Sequence, residues 1–123
     1  MKQKIIYNVT IFVEYDEQEM LKEPKIICER QFDTIAGAIQ FTMAETDKWW
    51  HEFFQQICFI IEILNLDNRK QGIVFDNIGL QYYCDGIATE IDYDSDKCEE
   101  DDEYFPKLIE EYIKDLIGTA HSV

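Results

Sequence analysis

Residues 33–67 constrain the fold more than any other stretch, because an aromatic-rich segment with helical periodicity runs almost directly into an apolar segment with strand periodicity. Apolar residues of the first part recur at the i, i+3, i+4, i+7 spacing that places one stripe of a helix against a core. These residues are Ile35, Ala38, Ile39, Met43, Trp49, Trp50 and Phe53. From Ile57 to Leu64 alternate residues share a face, and both faces are apolar except at Glu62. This strand is therefore predicted to be central and covered on both sides, with Glu62 near a sheet edge or paired with a Lys or Arg.

A hairpin is predicted before this segment. Apolar and polar residues alternate over residues 4–15, which predicts a long strand, and residues 25–32 are predicted to form the return strand. The polar and charged residues between them end at Pro24, which breaks regular structure. We therefore expect residues 16–24 to form a wide loop.

The boundaries of the long helix are predicted from its polar residues. Asp33 is expected to cap the N-terminus, because its carboxylate can accept free backbone N–H groups and faces the positive end of the helix dipole. Gly37 and the polar run 45–48 weaken the helix. We expect a bend or break near residue 46, which would leave residues 49–54 as a separate short turn.

The second half of the chain is predicted to be a meander followed by a helix. Polar residues at 67–72 favour a hairpin turn, and Asp85-Gly86 favours a tight one. The three short strands are predicted at 73–76, 79–84 and 87–93. The final helix is expected to have Pro106 in its first turn and Gly118 as its C-cap, with a loose tail beyond.

The predicted element order is therefore ββαββββα. This order is typical of an α+β fold in which helices pack on one antiparallel sheet. A chain of 123 residues is long enough to bury one core and too short for two. We predict a single acidic domain spanning residues 1–123.

Net charge carries the main information about partners. The chain has 26 Asp and Glu against 11 Lys and Arg, which gives a formal charge of −15. Solubility of a small domain needs a magnitude of only about 2 to 8. A surface this negative repels nucleic acid and anionic membranes, and it attracts basic proteins or cations. We therefore predict a basic protein as the partner, with no direct binding to nucleic acid or membrane.

The sequence favours a cytoplasmic location. Asn8 and Thr10 interrupt the first apolar run, and acidic residues follow where a leader would have its cleavage site. No stretch reaches the roughly 18 uncharged apolar residues of a membrane span. The four cysteines, at positions 28, 58, 84 and 98, are widely spaced, and we expect them to be reduced.

No catalytic motif is present, so we predict that the protein is not an enzyme and needs no cofactor. His51 and His121 are isolated, and no closely spaced Cys or His pair suggests a zinc site. Cys58 follows His51 by seven residues, but its apolar neighbours predict a buried, inert thiol. A metal-dependent enzyme with ligands scattered along the sequence stays open as a third hypothesis.

Residues 92–103, DYDSDKCEEDDE, are the segment closest to a ligand motif. If Asp92 is the first residue of a calcium loop, Asp94, Asp96 and Glu103 fall at the third, fifth and twelfth positions, where such loops carry carboxylates. The sixth position, which requires Gly, is Lys97, and a strand is predicted where the entering helix should be. A calcium-binding or regulatory module is therefore the alternative hypothesis, and a solvated acidic loop that meets a partner is preferred.

Two aromatic pairs at the end of the long helix, Trp49-Trp50 and Phe53-Phe54, are also candidate contacts. Adjacent helical residues point about 100° apart, so the pairs cannot lie wholly on one face. We expect them mainly to close the core, with an exposed aromatic anchor for a partner as the alternative.

The preferred hypothesis is a small acidic inhibitor. Residues 85–115 contain 13 of the 26 acidic residues, which locates the expected contact. The partner-binding residues are predicted to be Asp92, Tyr93, Asp94, Asp96, Glu99, Glu100, Asp101, Asp102, Glu103, Tyr104, Glu110, Glu111 and Asp115. Nucleases and other nucleic-acid-binding proteins carry Lys/Arg clefts that such carboxylates could occupy. The protein would be an immunity protein or antitoxin of a nuclease-type toxin, or a nucleic-acid mimic that blocks a restriction or CRISPR effector.

Overall fold

The computed structural model describes residues 4–16, 19–53, 57–65 and 70–121. The strands in these ranges are β1 (Ile6–Asp16), β2 (Glu19–Phe32), β3 (Ile57–Leu64), β4 (Gln71–Asp76), β5 (Gly79–Cys84) and β6 (Ile87–Glu90). The helices are α1 (Ile35–Phe53), α2 (Ser95–Glu100) and α3 (Tyr104–His121). The predicted α+β fold and the order of its main elements are confirmed, and α2 is an additional short helix.

The six described strands form one antiparallel sheet with the order β2-β1-β3-β4-β5-β6. Neighbouring strands are consecutive in sequence except for β1 and β3, which are joined through β2 and α1. β3 lies between β1 and β4, as expected for the most apolar strand of the chain. The strands β3 to β6 form the predicted meander.

One face of the sheet carries the hydrophobic core, and α1 and α3 cover it. Val9, Ile61 and Ile73 lie in register on neighbouring strands of this face and are fully buried. Ile109 and Ile113, which lie four residues apart on α3, are fully buried against the same cluster. Each such side chain contributes about 1.5–3 kcal/mol by leaving water. The core therefore fixes the orientation of both long helices.

The cap of α1 is Thr34, and the prediction that Asp33 caps this helix is wrong. The Thr34 hydroxyl accepts a hydrogen bond from the backbone N–H of Gly37 at 3.0 Å. Asp33 instead forms an exposed ion pair with Lys4, with 3.1 Å between the Nζ and Oδ2 atoms. The hydrogen bond and positive charge of Lys4 lower the pKa of the Asp33 carboxyl.

α1 runs from Ile35 to Phe53 without the predicted break near residue 46. Polar side chains in this region bond within the helix and so do not interrupt it. The Thr46 hydroxyl donates to the carbonyl oxygen of Thr42 at 2.9 Å, and the Trp49 indole donates to the Glu45 carboxylate at 3.0 Å. Trp49 is half-buried against the core. The side chains of Trp50, Phe53 and Phe54 lie outside the described residues.

The wide loop predicted at residues 16–24 is also wrong, because β2 begins at Glu19. Pro24 lies within this strand. A proline is tolerated there because β2 is an edge strand of the sheet, where one side of the backbone has no ladder partner. The pairing is irregular nearby, with a register shift between Val13 and Tyr15. Residues 17 and 18 lie outside the described part of the chain.

The predicted meander is confirmed with changed boundaries. β5 has its predicted limits, and β4 begins two residues earlier than expected. Part of the turn predicted at 67–72 therefore lies in β4, and residues 66–69 are outside the described part. Asp85 and Gly86 have φ values of 52° and 84°, as the predicted tight turn requires. β6 ends at Glu90, three residues before its predicted end.

The last helix is longer than the sequence predicted. Pro106 lies in the first turn of α3, as expected. Gly118 does not end the helix, because α3 continues to His121. The expected loose tail after Gly118 is therefore wrong for residues 119–121, which are helical. Residues 122 and 123 are outside the described part of the chain.

The second face of the sheet carries no helix in the described part of the chain. We call this surface the open face. It consists of Ile6, Asn8, Thr10, Phe12, Glu14, Ile26, Glu29, Gln31, Cys58, Ile60, Glu62, Leu64, Gly72, Val74, Asp76, Gln81, Tyr83, Ala88 and Glu90. No described helix covers β3 on this face, where Cys58 is nevertheless buried and Ile60, Glu62 and Leu64 are half-buried, so the predicted cover on both sides holds only in part. Glu62 lies here in an inner strand, and not at a sheet edge as predicted.

Candidate functional site

The predicted partner-binding residues lie where the chain leaves β6 and returns as α3. We call residues 92–103 the acidic segment. Before it, buried Ile91 donates its backbone N–H to the carbonyl oxygen of Leu80 at 2.9 Å. After it, the ring of Phe105 packs edge-on against Phe59 and Phe75. Both ends of the acidic segment are therefore fixed to the core.

Within the acidic segment, residues 95–100 form α2, and the prediction of a loop is wrong for them. Asp94 caps this helix, because its carboxylate accepts the backbone N–H groups of Asp96 at 3.0 Å and Lys97 at 3.3 Å. The N–H of Asp101 closes the other end by donating to the Lys97 carbonyl oxygen at 2.8 Å. The carboxylate of Asp101 also accepts the N–H of Glu103 at 2.9 Å. Two of the predicted binding residues thus also hold the local structure.

Tyr93 and Tyr104 attach the acidic segment to the rest of the protein. The Tyr93 ring lies 5.5 Å from Phe105 and 6.5 Å from Phe75, measured between centroids, and 37% of the residue stays exposed. The Tyr104 hydroxyl accepts a hydrogen bond from the backbone N–H of Asp94 at 3.1 Å. These contacts show a structural role for both tyrosines. Their contact with a partner stays a prediction.

Most of the predicted carboxylates are exposed and uncompensated. Exposed are Asp92, Asp94, Asp96, Glu99, Glu100, Asp101, Asp102, Glu103, Glu111 and Asp115, and Glu110 is half-buried. Lys107 pairs with Glu103 at 3.4 Å, and Lys114 pairs with Glu110 at 2.7 Å. Such exposed pairs stabilise a protein little, but they reduce the local charge. The acidic segment contains eight carboxylates and one lysine, Lys97.

The structure gives the calcium alternative no geometric support. The fourth to ninth positions of the proposed loop are helical in α2, whereas a calcium loop wraps its carboxylates around one point. One oxygen of the Asp94 carboxylate, Oδ1, already accepts two backbone N–H groups. Among the described residues, no three His, Cys, Asp or Glu side chains are arranged to hold a metal ion.

The sequence analysis missed a second group of carboxylates, on the open face. Glu14 lies near Asp76, and burial followed by the negative charge of Asp76 raises the pKa of the Glu14 carboxyl. Burial, with smaller effects of the same two carboxylates, raises the pKa of the Cys58 thiol to about 12. Cys58 is therefore a protonated, buried thiol at neutral pH, which is the state that its apolar neighbours predicted.

Two further carboxylates lie on the same face. Both Asn8 and Thr10 donate side-chain hydrogen bonds to Glu29, at 3.2 and 3.1 Å. Glu62 lies close enough to Tyr83 to act on its ionisation: burial, followed by the negative charge of Glu62, raises the pKa of the tyrosine to about 12. Strand alternation alone could have placed these residues on polar faces. It could not show that their strands are neighbours.

All four cysteines lie in the described ranges, and none of them forms a disulfide. The side chains of His51 and His121 lie outside the described residues. None of the described helices combines the length and the apolar composition needed to cross a membrane. Comparison of the chain with protein-family models, curated proteins and solved structures yields no match.

Proposed function

We propose that this protein is a small cytoplasmic inhibitor that binds and neutralises a basic, nucleic-acid-acting protein. It would serve as an immunity protein or antitoxin against a nuclease-type toxin, or as a nucleic-acid mimic that blocks a restriction or CRISPR effector. It acts by binding and not by catalysis, without a cofactor. The site on the partner is a Lys/Arg cleft that otherwise holds phosphate groups.

One observation carries this proposal: the acidic segment presents exposed carboxylates on a backbone that is held in place. Ile91 and Phe105 fix its two ends, and the cap at Asp94 fixes α2. A partner does not have to order this segment, so less conformational entropy is lost on binding. A held array of negative charges therefore supports binding to a complementary basic cleft.

The outer side of α3 extends this surface. Glu111 and Asp115 are exposed, and the short side-chain distance between Glu110 and Lys114 makes Glu110 the weaker candidate for contact with a partner. The exposed part of Tyr93 supplies an apolar and hydrogen-bonding contact beside the charges, and tyrosine is enriched at the centres of interfaces.

The test replaces charges in the acidic segment without changing its fold. The variant carries Asp94→Asn, Asp96→Asn, Glu100→Gln, Asp101→Asn and Asp102→Asn. Asparagine at positions 94 and 101 keeps the oxygen that accepts the backbone N–H groups, so α2 should persist. We expect the wild-type protein to capture a strongly basic protein from the cell of origin at low salt and to inhibit it. The variant should lose this binding by on the order of tenfold or more.

Salt and a matched control separate this proposal from general acidity. Exposed charges are screened over about 8 Å at physiological ionic strength, so wild-type binding should weaken steeply with added salt. Binding of the partner is measured for the triple variant Asp96→Asn, Glu100→Gln, Asp102→Asn. The same measurement is made for a control variant, Glu23→Gln, Asp33→Asn, Asp47→Asn, which removes the same charge from exposed positions elsewhere. Equal inhibition by wild type and five-fold variant would refute the location. Failure of the wild type to bind any basic protein would refute the function.

A further inference from the structure

The open face has a more one-sided charge than the whole chain, which contains 11 Lys and Arg beside its 26 Asp and Glu. Its carboxylates are Glu14, Glu29, Glu62, Asp76 and Glu90. Among the strand residues that define this face there is no Lys or Arg. An ordinary solvated sheet face alternates both signs of charge across neighbouring strands, because opposite charges directly opposite each other stabilise a sheet and like charges do not. Among the described side chains at these positions, the carboxylates have neutral hydrogen-bond donors as partners, such as Asn8 and Thr10 for Glu29, and no cation.

The centre of this face is apolar. Ile60 and Val74 pair in register on β3 and β4, and both are half-buried although no described helix covers them. Tyr83 lies beside them over Gly72. At the edge of the sheet Ile26 is 61% exposed. An apolar centre bordered by charged residues is the usual arrangement of a protein interface.

Charge decides what can cover this face. A second copy of the chain would place carboxylates against carboxylates, and close like charges across an interface oppose binding. Nucleic acid and anionic membranes are repelled in the same way. A cationic protein surface with apolar side chains at its centre complements both the border and the middle of the face.

We propose that the open face is a second docking surface, separate from the acidic segment, for a cationic protein surface with an apolar centre. The inference rests on the proposed function, since the natural occupant is the same basic partner.

The test uses a synthetic probe, a peptide of alternating Arg and Leu with blocked ends, titrated into isotopically labelled protein and followed by the backbone amide NMR signals. We expect saturable shifts at Thr10, Ile60, Val74 and Gln81. These shifts should persist in the five-fold variant of the acidic segment. A peptide with Glu in place of Arg should give none of them.

A pair of charge-matched variants tests the face directly. Thr10→Arg with Gln81→Arg places two positive charges in the central row of the open face, between Glu29 and Glu90. Gln40→Arg with Ala44→Arg places the same charges on the exposed side of α1. We expect the first pair to weaken the peptide affinity on the order of tenfold and the second by less than about twofold. Thermal melting tests whether both variants fold. If the Thr10→Arg, Gln81→Arg variant does not fold, the shifts of the wild-type amide signals decide whether the peptide binds the open face.

Peptide shifts confined to residues 92–115, or equal weakening by the two variants, would overturn the second surface. If a basic protein is nevertheless captured through the acidic segment, the proposed function stands without the second docking surface. Open-face shifts with no basic protein captured would instead keep the surface and remove the inhibitory function.

Discussion

Gly72 is the glycine of this chain at which an added side chain would have the least room. A Cβ atom built on this residue would collide with the backbone carbonyl oxygen of Ile61, and it would lie 2.8 Å from the Tyr83 hydroxyl. The carbonyl belongs to the inner strand β3 and cannot move without disturbing the ladder. The Tyr83 ring can lie over residue 72 only because this residue has no side chain.

Gly72→Ala should destabilise the fold by about 1–3 kcal/mol, the usual cost of overpacking a well-packed site. Gly118 supplies the matched control, since a Cβ there meets no atom within 4 Å and the residue is inside a helix. Gly118→Ala should stabilise the protein by about 0.5–1 kcal/mol. Urea unfolding of both variants measures the two changes, and an unchanged midpoint for Gly72→Ala would contradict the close packing of Tyr83.

Tyr83 makes stability depend on alkaline pH. Its pKa is about 12 in the folded protein against an ordinary 10.0, so folding favours the protonated phenol. That contribution is fully present below about pH 10 and is lost as the pH rises towards about 12. The free energy of unfolding should fall less over this interval in Tyr83→Phe than in the wild type.

Glu62→Gln provides the companion measurement for this prediction. The substitution removes the negative charge that, next to burial, raises the pKa of Tyr83. The tyrosine should therefore ionise at a lower pH, which the ultraviolet absorbance of tyrosinate measures. Identical titration curves for wild type and Glu62→Gln would show that burial alone sets the pKa of Tyr83.

At the scale of elements, α2 depends on one side chain. The helix has six residues and none of them is buried, so it gains little from packing. Helices this short are marginal in water. The cap at Asp94 and the closing hydrogen bond at Asp101 are therefore the interactions that hold the two ends of α2.

Asp94→Ala should cost about 1 kcal/mol, the typical value of a lost N-cap. The loss should be local: the amides of Asp96, Lys97 and Cys98 should exchange hydrogen faster, while those of β3 keep their protection. Asp94→Asn removes the same charge but keeps the acceptor, and it should leave exchange nearly unchanged. Equal exchange in Asp94→Ala and Asp94→Asn would show that the cap does not stabilise α2.

Elements with long periodic patterns could be predicted from the sequence, and those that depend on neighbours could not. The alternation of residues 4–15 and the apolar spacing from Ile35 to Phe53 are local patterns, and β1 and α1 lie close to where these patterns predict them. Pro24 is compatible with β2 only because that strand is at an edge, which no local pattern reveals. Asp33 and Thr34 can both cap a helix, and Lys4, 29 positions away from Asp33, engages the former.

At the scale of the whole molecule, acidity occupies two surfaces. The acidic segment is contiguous in sequence, so its position could be predicted from composition alone. The carboxylates of the open face come from five strands, and only the order β2-β1-β3-β4-β5-β6 brings them together. The acidic segment was therefore accessible to sequence reasoning, whereas the grouping of carboxylates on the open face required the topology.

Because α1 and α3 lie on one side of the sheet, each inner strand has two alternating sets of residues, one facing the core and one facing away from it. Residues such as Val9 and Ile61 are fully buried, and substitution there endangers folding. Their immediate neighbours Thr10 and Ile60 lie on the other side, where no described helix depends on their shape. Substitutions at alternate positions of the inner strands can therefore change the chemistry of one side of the sheet while the buried side keeps the residues that fold the protein.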